Sequence, residues 1–585
     1  MHRAAWVVAL ALAAGCSEPP ASFAARSSTI VRADDGSLWL TSPDDDALVQ
    51  VDPASLEERA RVVIEGAPTQ VAIVDGAMLV TLARASELAW VIDGAVERVP
   101  VPCGGTRAAV ADGRGGALVS CPHDDLVLRV TRDGVDWELP SPGRPTALAV
   151  LDARFAVTAS RTGRLRVHAL DDRRALSDVA LAPTPGFAAS QVDAVAFDPG
   201  RRDFVAAYQR VDHDSDRTRP PGEGGYGSVI DGAPRIEPRL AGPCAERYAR
   251  FDGGARVFSG PSAAAAAGGV LWVANRTTDD VVALRCEREG DGLAPRLATF
   301  TVGRGPRGIV LREDGRVAWV DVGFAHAVAR LELDEAMRGP EGPVVEAARE
   351  RTRALGETRL SRAAMEGRSL FFDADDTHLT PSGIVTCGTC HPAGGEDGLT
   401  WFLHTENVPA KLRRTPPAWA ARAGLGPFHW DGEFEDASVL ARTTIRELME
   451  GDGLFVDTDA MAAWMAEAPI PPGRPVRGEA DRARVERGRA LFGESGCAGC
   501  HAGPLLADGE AHAVVTPSAD EPARMAAVQT PTLRAVRARP PYLHDGRAPT
   551  LRSVLTEHAV DDRHGETSHL SDADVDALVA YLETL

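Results

Sequence analysis

Lysine is almost absent from this chain: Lys411 is the only one, so arginine supplies nearly all of the 63 basic residues. We read that as compositional bias and attach no function to it. Positive charge as a whole is also short, because 84 acidic residues leave a net charge of −21. Nucleic-acid binding needs clustered positive charge and is excluded as a function class. Membrane-spanning runs are not evident either: the apolar stretch from Ala4 to Ala14 is too short to cross a bilayer as a stable helix. With 44% hydrophobic and 25% charged residues, the composition is that of neither a disordered chain nor a polytopic membrane protein. What remains is globular. At 585 residues it exceeds the roughly 50 to 250 residues of one domain, so two or three domains are expected.

The N-terminus has the charged start and short apolar core of a secretory signal. It ends in Leu12-Ala13-Ala14-Gly15-Cys16, which resembles a bacterial lipobox. Residues 1–16 are read as a signal with Cys16 lipidated, the alternative being ordinary cleavage nearby, and 17–27 as a linker. The expected location is exported, periplasmic and anchored to a bacterial membrane through lipid alone. Export permits disulfides and is where c-type haems are assembled.

Two stretches carry the chemistry: Cys387-Gly388-Thr389-Cys390-His391 and Cys497-Ala498-Gly499-Cys500-His501. Each is C-x-x-C-H, in which two thiols add to the porphyrin vinyl groups and the adjacent histidine takes the iron. One match alone could be a zinc half-site or a redox dithiol. Two, both ending in His and set in repeated surroundings, indicate two covalently bound haems c. Of the nine cysteines, Cys16 and the four haem thiols leave Cys103, Cys121, Cys244 and Cys286. The simplest disulfides are Cys103 to Cys121 and Cys244 to Cys286, a connectivity that sequence alone does not fix.

Residues 28–337 alternate short β-rich runs with Asp/Gly turns. One phrase is a Gly-x-Pro turn, an apolar strand and an Asp turn, as in Gly66-Ala67-Pro68 into Val71-Ala72-Ile73-Val74-Asp75. A second, strand to polar turn to strand, begins at Leu38-Trp39-Leu40 and recurs to Val317-Ala318-Trp319 in seven copies. Their early spacing of roughly forty residues is the period of four-stranded blades. A seven-bladed β-propeller follows, with six or eight blades as the alternatives, and a polar insertion between residues 208 and 268 reads as a long exposed loop. Gly303-Arg304-Gly305-Pro306-Arg307-Gly308 matches G-x-G-x-x-G, but a strand follows it where the dinucleotide motif needs a helix. Asp44-Asp45-Asp46 reads as a solvated turn. The repeats resemble the YVTN-like propellers of bacterial surface and periplasmic proteins, including those fused to dihaem cytochromes.

Near Met337-Arg338-Gly339-Pro340 the pattern becomes helical, and from there two segments repeat one another. Gly367-Arg368-Ser369-Leu370-Phe371 precedes the first haem motif and Gly488-Arg489-Ala490-Leu491-Phe492 the second. Downstream, Arg414-Thr415-Pro416 leads to Trp430-Asp431-Gly432, and Gln529-Thr530-Pro531 to His544-Asp545-Gly546. The expected fold is an all-β propeller followed by an all-α tandem of class I cytochrome c domains, residues 338–472 and 473–585, meeting at the Pro-rich Pro469-Ile470-Pro471-Pro472-Gly473.

From about residue 360 onward this order of motifs resembles the bacterial dihaem cytochrome c peroxidases, including the MauG-type enzymes. The resemblance implies a peroxide-binding first haem and a six-coordinate, electron-accepting second haem. It gives Trp430 the place between the haems, His544 a hydrogen-bonding place near the second haem, and Arg534 a contact with haem propionates. His558 stands where the family has Met as sixth ligand of the second haem, with His564 its rival. His404 lies where the family supplies a removable distal His to the first haem, and His429 competes with it. Glu447 or Glu450 would be the acid/base group that peroxide cleavage needs. The implied activity is that of a cytochrome-c peroxidase-like oxidoreductase, reducing hydrogen peroxide with electrons from a small periplasmic cytochrome c or cupredoxin. A MauG-like oxidase with protein docking on the propeller, and a plain electron carrier, are the alternatives; an inter-domain Ca²⁺ stays open.

Overall fold

The computed structural model describes residues 24–198, 203–213, 229–230, 233–234, 236–241, 258–285, 296–333, 345–346, 349–356, 358–403, 411–422, 424–515 and 527–585. Seven antiparallel blades form the first part. The first blade runs, inner to outer, Ile30–Arg32, Leu38–Ser42, Ala47–Val51 and Glu58–Val63. Its register pairs Leu38 with Val51 and Ile30 with Leu40. Strands held between neighbouring blades are mostly apolar and buried along their whole length, as in Val270–Asn275 and Val317–Val322, every residue of which is buried. Outer strands such as Glu58–Val63 and Ala175–Ala180 are largely exposed, and charge on the first of these edges discourages pairing with other chains.

The two repeated phrases are one device. The Asp of a blade's middle turn accepts amide hydrogen bonds from the next inter-blade turn. Asp46 Oδ1 takes Gly66 N (3.1 Å) and Ala67 N (2.8 Å), and Asp125 Oδ1 takes Gly143 N (3.2 Å) and Arg144 N (2.8 Å). Asp279 Oδ1 likewise takes Gly305 N at 2.8 Å. Gly305 needs its freedom there, with φ +66° and the Phe324 ring where a Cβ would be. Pro306–Leu311 then runs as the seventh blade's inner strand, so the G-x-G-x-x-G stretch is a blade junction.

Two boundaries move. Ala24–Arg26, inside the expected linker, is a strand, β1. It pairs with Pro145–Leu151, the inner strand of the fourth blade, and so lies in the central channel. From β1 the chain crosses the channel. Arg26 gives its guanidinium to the Ile309 carbonyl of the seventh blade, and Thr29 Oγ1 donates to Asp321 Oδ2 at 2.6 Å. At the other end, the described residues 345–346 and 349–354, expected in the helical half, are strands. Val345–Glu346 adds to the sixth blade and Arg349–Ala354 is the outer strand of the seventh, paired with Ala327–Glu332. The propeller therefore extends to Ala354, because the high Arg and Glu content there is an exposed edge strand and not a helix face. Much of the long insertion of the fifth blade, Cys16, Cys244, Cys286 and His404 lie outside the described residues, while Cys103 and Cys121 form a disulfide.

The helical half repeats itself. Helix α1 (Arg362–Phe371) leads to a turn of helix at the first haem motif, α2 (Cys387–Cys390), then α3 (Ala437–Glu447) and α4 (Thr458–Glu467). Helix α5 (Gly478–Glu494) leads to the second motif, followed by α6 (Leu551–Leu555) and α7 (Asp572–Leu582). The shared Gly-Arg-x-Leu-Phe has a packing reason. A Cβ on Gly367 would lie 1.8 Å from Ala460 O of α4, and one on Gly488 1.9 Å from Ala577 O of α7. Each glycine lets the approach helix cross the closing helix of its own domain.

This half sits on the propeller face made by the middle turns and inter-blade turns. Gln191 Nε2 donates to Gly388 O (3.3 Å), Ser259 Oγ to Ile384 O (2.6 Å) and Arg161 Nη2 to Ala538 O (3.0 Å). Arg537 Nη1 meets Asp124 Oδ1 at 2.6 Å, and Arg368 Nη1 meets Asp44 Oδ2 at 2.7 Å. Asp44-Asp45-Asp46 is thus an interface cluster and not a solvated turn: Asp44 and Asp45 both face His326, and Arg359 reaches Asp46. Burial pulls the His326 pKa down, but these two carboxylates outweigh it and raise it overall. Propeller residues Val211 and Ile236 join the first haem domain's hydrophobic core, beside Trp401 and Trp419.

Candidate haem chambers

One cavity of about 590 Å³ is lined by both attachment motifs, Cys387, Cys390 and His391 at one end and Cys497, Cys500 and His501 at the other. In each motif the histidine's Nδ1 faces a carbonyl, Gly395 O for His391 and Leu506 O for His501, both at 3.2 Å. That contact fixes the tautomer and leaves Nε2 as the ligand atom. Burial lowers both imidazoles to about 4, so both are neutral at pH 7. Burial pushes the Cys387 thiol up to about 12; it is packed for addition to a porphyrin and not for thiolate chemistry. The donor set and the mainly apolar walls fit covalent haem at each end.

Arg414 sits where the two halves interlock. Its side chain, almost fully buried, reaches Glu396 Oε1 (2.6 Å) in the loop after the first motif. It also donates to Pro541 O (2.6 Å) and Arg539 O (2.8 Å) of the second half. Its backbone N donates to His544 O at 2.7 Å and its carbonyl accepts Trp430 Nε1 at 2.8 Å. Gln529, its counterpart in the duplication, donates its own N to Trp430 O at 2.8 Å. Each half's x-Thr-Pro segment thereby holds the other half's Trp-Asp-Gly or His-Asp-Gly loop. The two rings meet edge to face, Trp430 to His544, with centroids 6.4 Å apart. Both residues line the cavity.

The structure separates several paired candidates. Glu447, on the cavity face of α3 with Leu440 and Thr444, lines the chamber, whereas Glu450 is exposed and does not. His564 lines the cavity and His558 does not. His429 lines it with Nδ1 bound to Glu433 Oε1 at 2.7 Å, and with Asp431 and Glu433 it brings three ligand atoms within 4.8 Å of one another. An imidazole in that set suits a hard cation such as Ca²⁺ poorly. Arg534 donates to Pro504 O at 2.7 Å and is not in the cavity wall. The buried arginines that do line it are Arg413 and Arg414, with the half-buried Arg539 beside them. Sequence reasoning missed Arg539 because it follows no motif. The Arg-Thr-Pro and Gln-Thr-Pro pair was the signal for the interlock.

Duplicated approach helices, two C-x-x-C-H turns and one cavity shared between them define a c-type cytochrome with two haem sites, joined to a propeller. Residues 485–585 match the Cytochrome c family. The chain is 30% identical over 276 residues to methylamine utilization protein MauG of Methylorubrum extorquens, covering 37% of this chain and 76% of that protein. It is 26% identical over 267 residues to cytochrome c551 peroxidase of Nitrosomonas europaea, covering 37% of this chain and 78% of that one. Its fold is similar to Kuenenia stuttgartiensis hydrazine synthase, with 13% identity, a TM-score of 0.42, and 52% of this chain and 94% of that chain covered. Through its C-terminal half the chain belongs to the family of MauG and the bacterial dihaem cytochrome c peroxidases.

Proposed function

We propose that the chain reduces hydrogen peroxide in the chamber of His391, with electrons received in the chamber of His501 and relayed by Trp430. The observation that carries this reading is that Trp430, clamped by segments of both halves, and Glu447 line one cavity with both haem motifs. The reaction balances as one peroxide, two protons and two electrons giving two waters. Bound haem supplies the stored electrons and the iron face at which the O–O bond is cleaved.

The chain's own residues supply the rest. Glu447 takes the proton from the near peroxide oxygen and returns it to the far one, which leaves as water. Trp430 cannot turn, because its ring N–H is bound to Arg414 O and its carbonyl to Gln529 N. Phe371, Phe428, Leu440, Met461 and Met465 line the cavity and limit water. The donor is a small reduced cytochrome c or cupredoxin, and the chain's charge of −21 favours a neutral or basic one. In the same reading the protein is exported and lipid-anchored at Cys16.

Peroxide turnover with a reduced small cytochrome tests this. Glu447→Gln is expected to lower kcat by about 10²- to 10⁴-fold, the usual worth of a general acid/base, while Glu450→Gln leaves it unchanged. Equal effects of the two substitutions, or two low-spin irons in every redox state, would defeat the proposal. A second reading, MauG-like oxidation of an organic or protein substrate at the same chamber, is favoured by the higher identity to MauG, 30% against 26%. Peroxide consumption with a stoichiometric substrate but no turnover of cytochrome would favour it.

A further inference from the structure

The second chamber contains a pair of histidines that the family pattern does not anticipate. The rings of His501 and His564 have centroids 6.4 Å apart at an interplanar angle of 43°. Two imidazoles on one metal, each bonded at about 2.0–2.1 Å with its ring centre about 1.1 Å behind the nitrogen, stand about 6.3 Å apart. The observed separation is that of two ligands with one iron between them. We propose that His564 is the sixth ligand of the haem held by His501, making that site bis-histidine.

The loop is built to hold it there. Gly565, at φ +87°, turns the chain directly after His564 and packs so closely that a Cβ would lie 3.2 Å from Ser495 O and 3.4 Å from Cys497 Sγ. Glu566 N donates to Ser495 O at 3.0 Å, which ties the loop to the residues just before the haem motif. Asp562 Oδ1 accepts from Thr567 N (3.0 Å) and Ser568 N (2.9 Å), closing the loop on itself. The ring of His564 makes no hydrogen bond among the described residues and lines the cavity. His558, the position suggested by counting from His-Asp-Gly, is half-exposed and outside the cavity wall. The first chamber differs. Among the described residues His391 has Phe371 as its ring neighbour, at 6.0 Å, and forms no such pair with a histidine.

Two imidazoles close the second iron to peroxide and set its potential below that of a His/Met site. A haem held there by His501 and His564 would transfer electrons only, from a donor of correspondingly low potential. This inference rests on haem being bound at His501 but not on peroxide being the oxidant.

The test uses the full-length holoprotein. A pyridine haemochrome assay first counts the haems; fewer than two means that the haem reading itself has failed. Electron paramagnetic resonance and carbon monoxide titration of the reduced protein then follow. His564→Ala is expected to turn one low-spin ferric signal high-spin and to add one equivalent of bound CO. Added imidazole should restore the low-spin signal, and His558→Ala should change none of these. The proposal is overturned if His558→Ala opens the iron and His564→Ala does not, or if neither does. Where the alanine variant cannot be isolated, His564→Met decides: a raised midpoint potential in a low-spin haem supports the ligand, and an unchanged potential rejects it.

Discussion

At the scale of single residues, Trp430 is defined by what grips it. Replacing it by Phe keeps most of the apolar packing with Val515 and Val528 but removes the donor to Arg414 O. We expect Trp430→Phe to slow inter-haem electron transfer about tenfold or more, equivalent to at least about 1.4 kcal/mol on the barrier. Both haems should stay attached. Stopped-flow mixing of the half-reduced protein with oxidant measures this, and an unchanged rate would remove Trp430 from the path. The site was legible in the sequence where a residue's role is set by spacing. His391 and His501 follow directly from C-x-x-C-H. It was not legible where a role depends on which way a loop turns. His558 and His564 both satisfy a count of positions, and what distinguishes them is that the 564–566 loop, tied to Ser495, puts His564 in the cavity wall while His558 stays outside it. Arg534 failed for the same reason, since its guanidinium is taken up by the Pro504 carbonyl.

At the scale of elements, the two glycines in the approach helices explain why the duplication has kept its pattern within this one chain. Gly488→Ala would drive a methyl group into the backbone of α7. Overpacking of this kind costs about 1–3 kcal/mol, and the roughly 1 kcal/mol by which alanine is the better helix former does not offset its upper range. We expect a lower Tm and easier denaturation of the second haem domain, followed by Soret absorbance. A Tm equal to or above that of the parent would show that the helices can part without cost. The blades were readable because their inner strands are continuous apolar runs with fixed turn chemistry. Arg349–Ala354 was not, because an exposed edge strand rich in Arg and Glu has the composition of a surface helix.

At the scale of the molecule, propeller and haem half are joined by buried ion pairs and a shared core. Arg537 and Asp124 are both largely buried, at 6% and 13% side-chain exposure, and Arg537 also serves Gly104 O and His123 O. Removing one member of such a pair leaves a charge stranded, at about 3–5 kcal/mol. Arg537→Ala should therefore lower stability by about that amount and split one cooperative calorimetric transition into two. A single transition at the original Tm would mean that the pair does not couple the halves.

The strand β1 places one further demand on the chain. Its residues pair with a blade far along the sequence, Ala24 with Leu151, a separation of 127 positions, and they do so inside a ring of seven sheets. Such a segment either lies against the fourth blade before the first and seventh blades meet or has to enter the finished ring along its channel. The cost of bringing these distant positions together falls before the contacts that reward it, which makes ring closure around the strand the slow step expected in folding of the propeller.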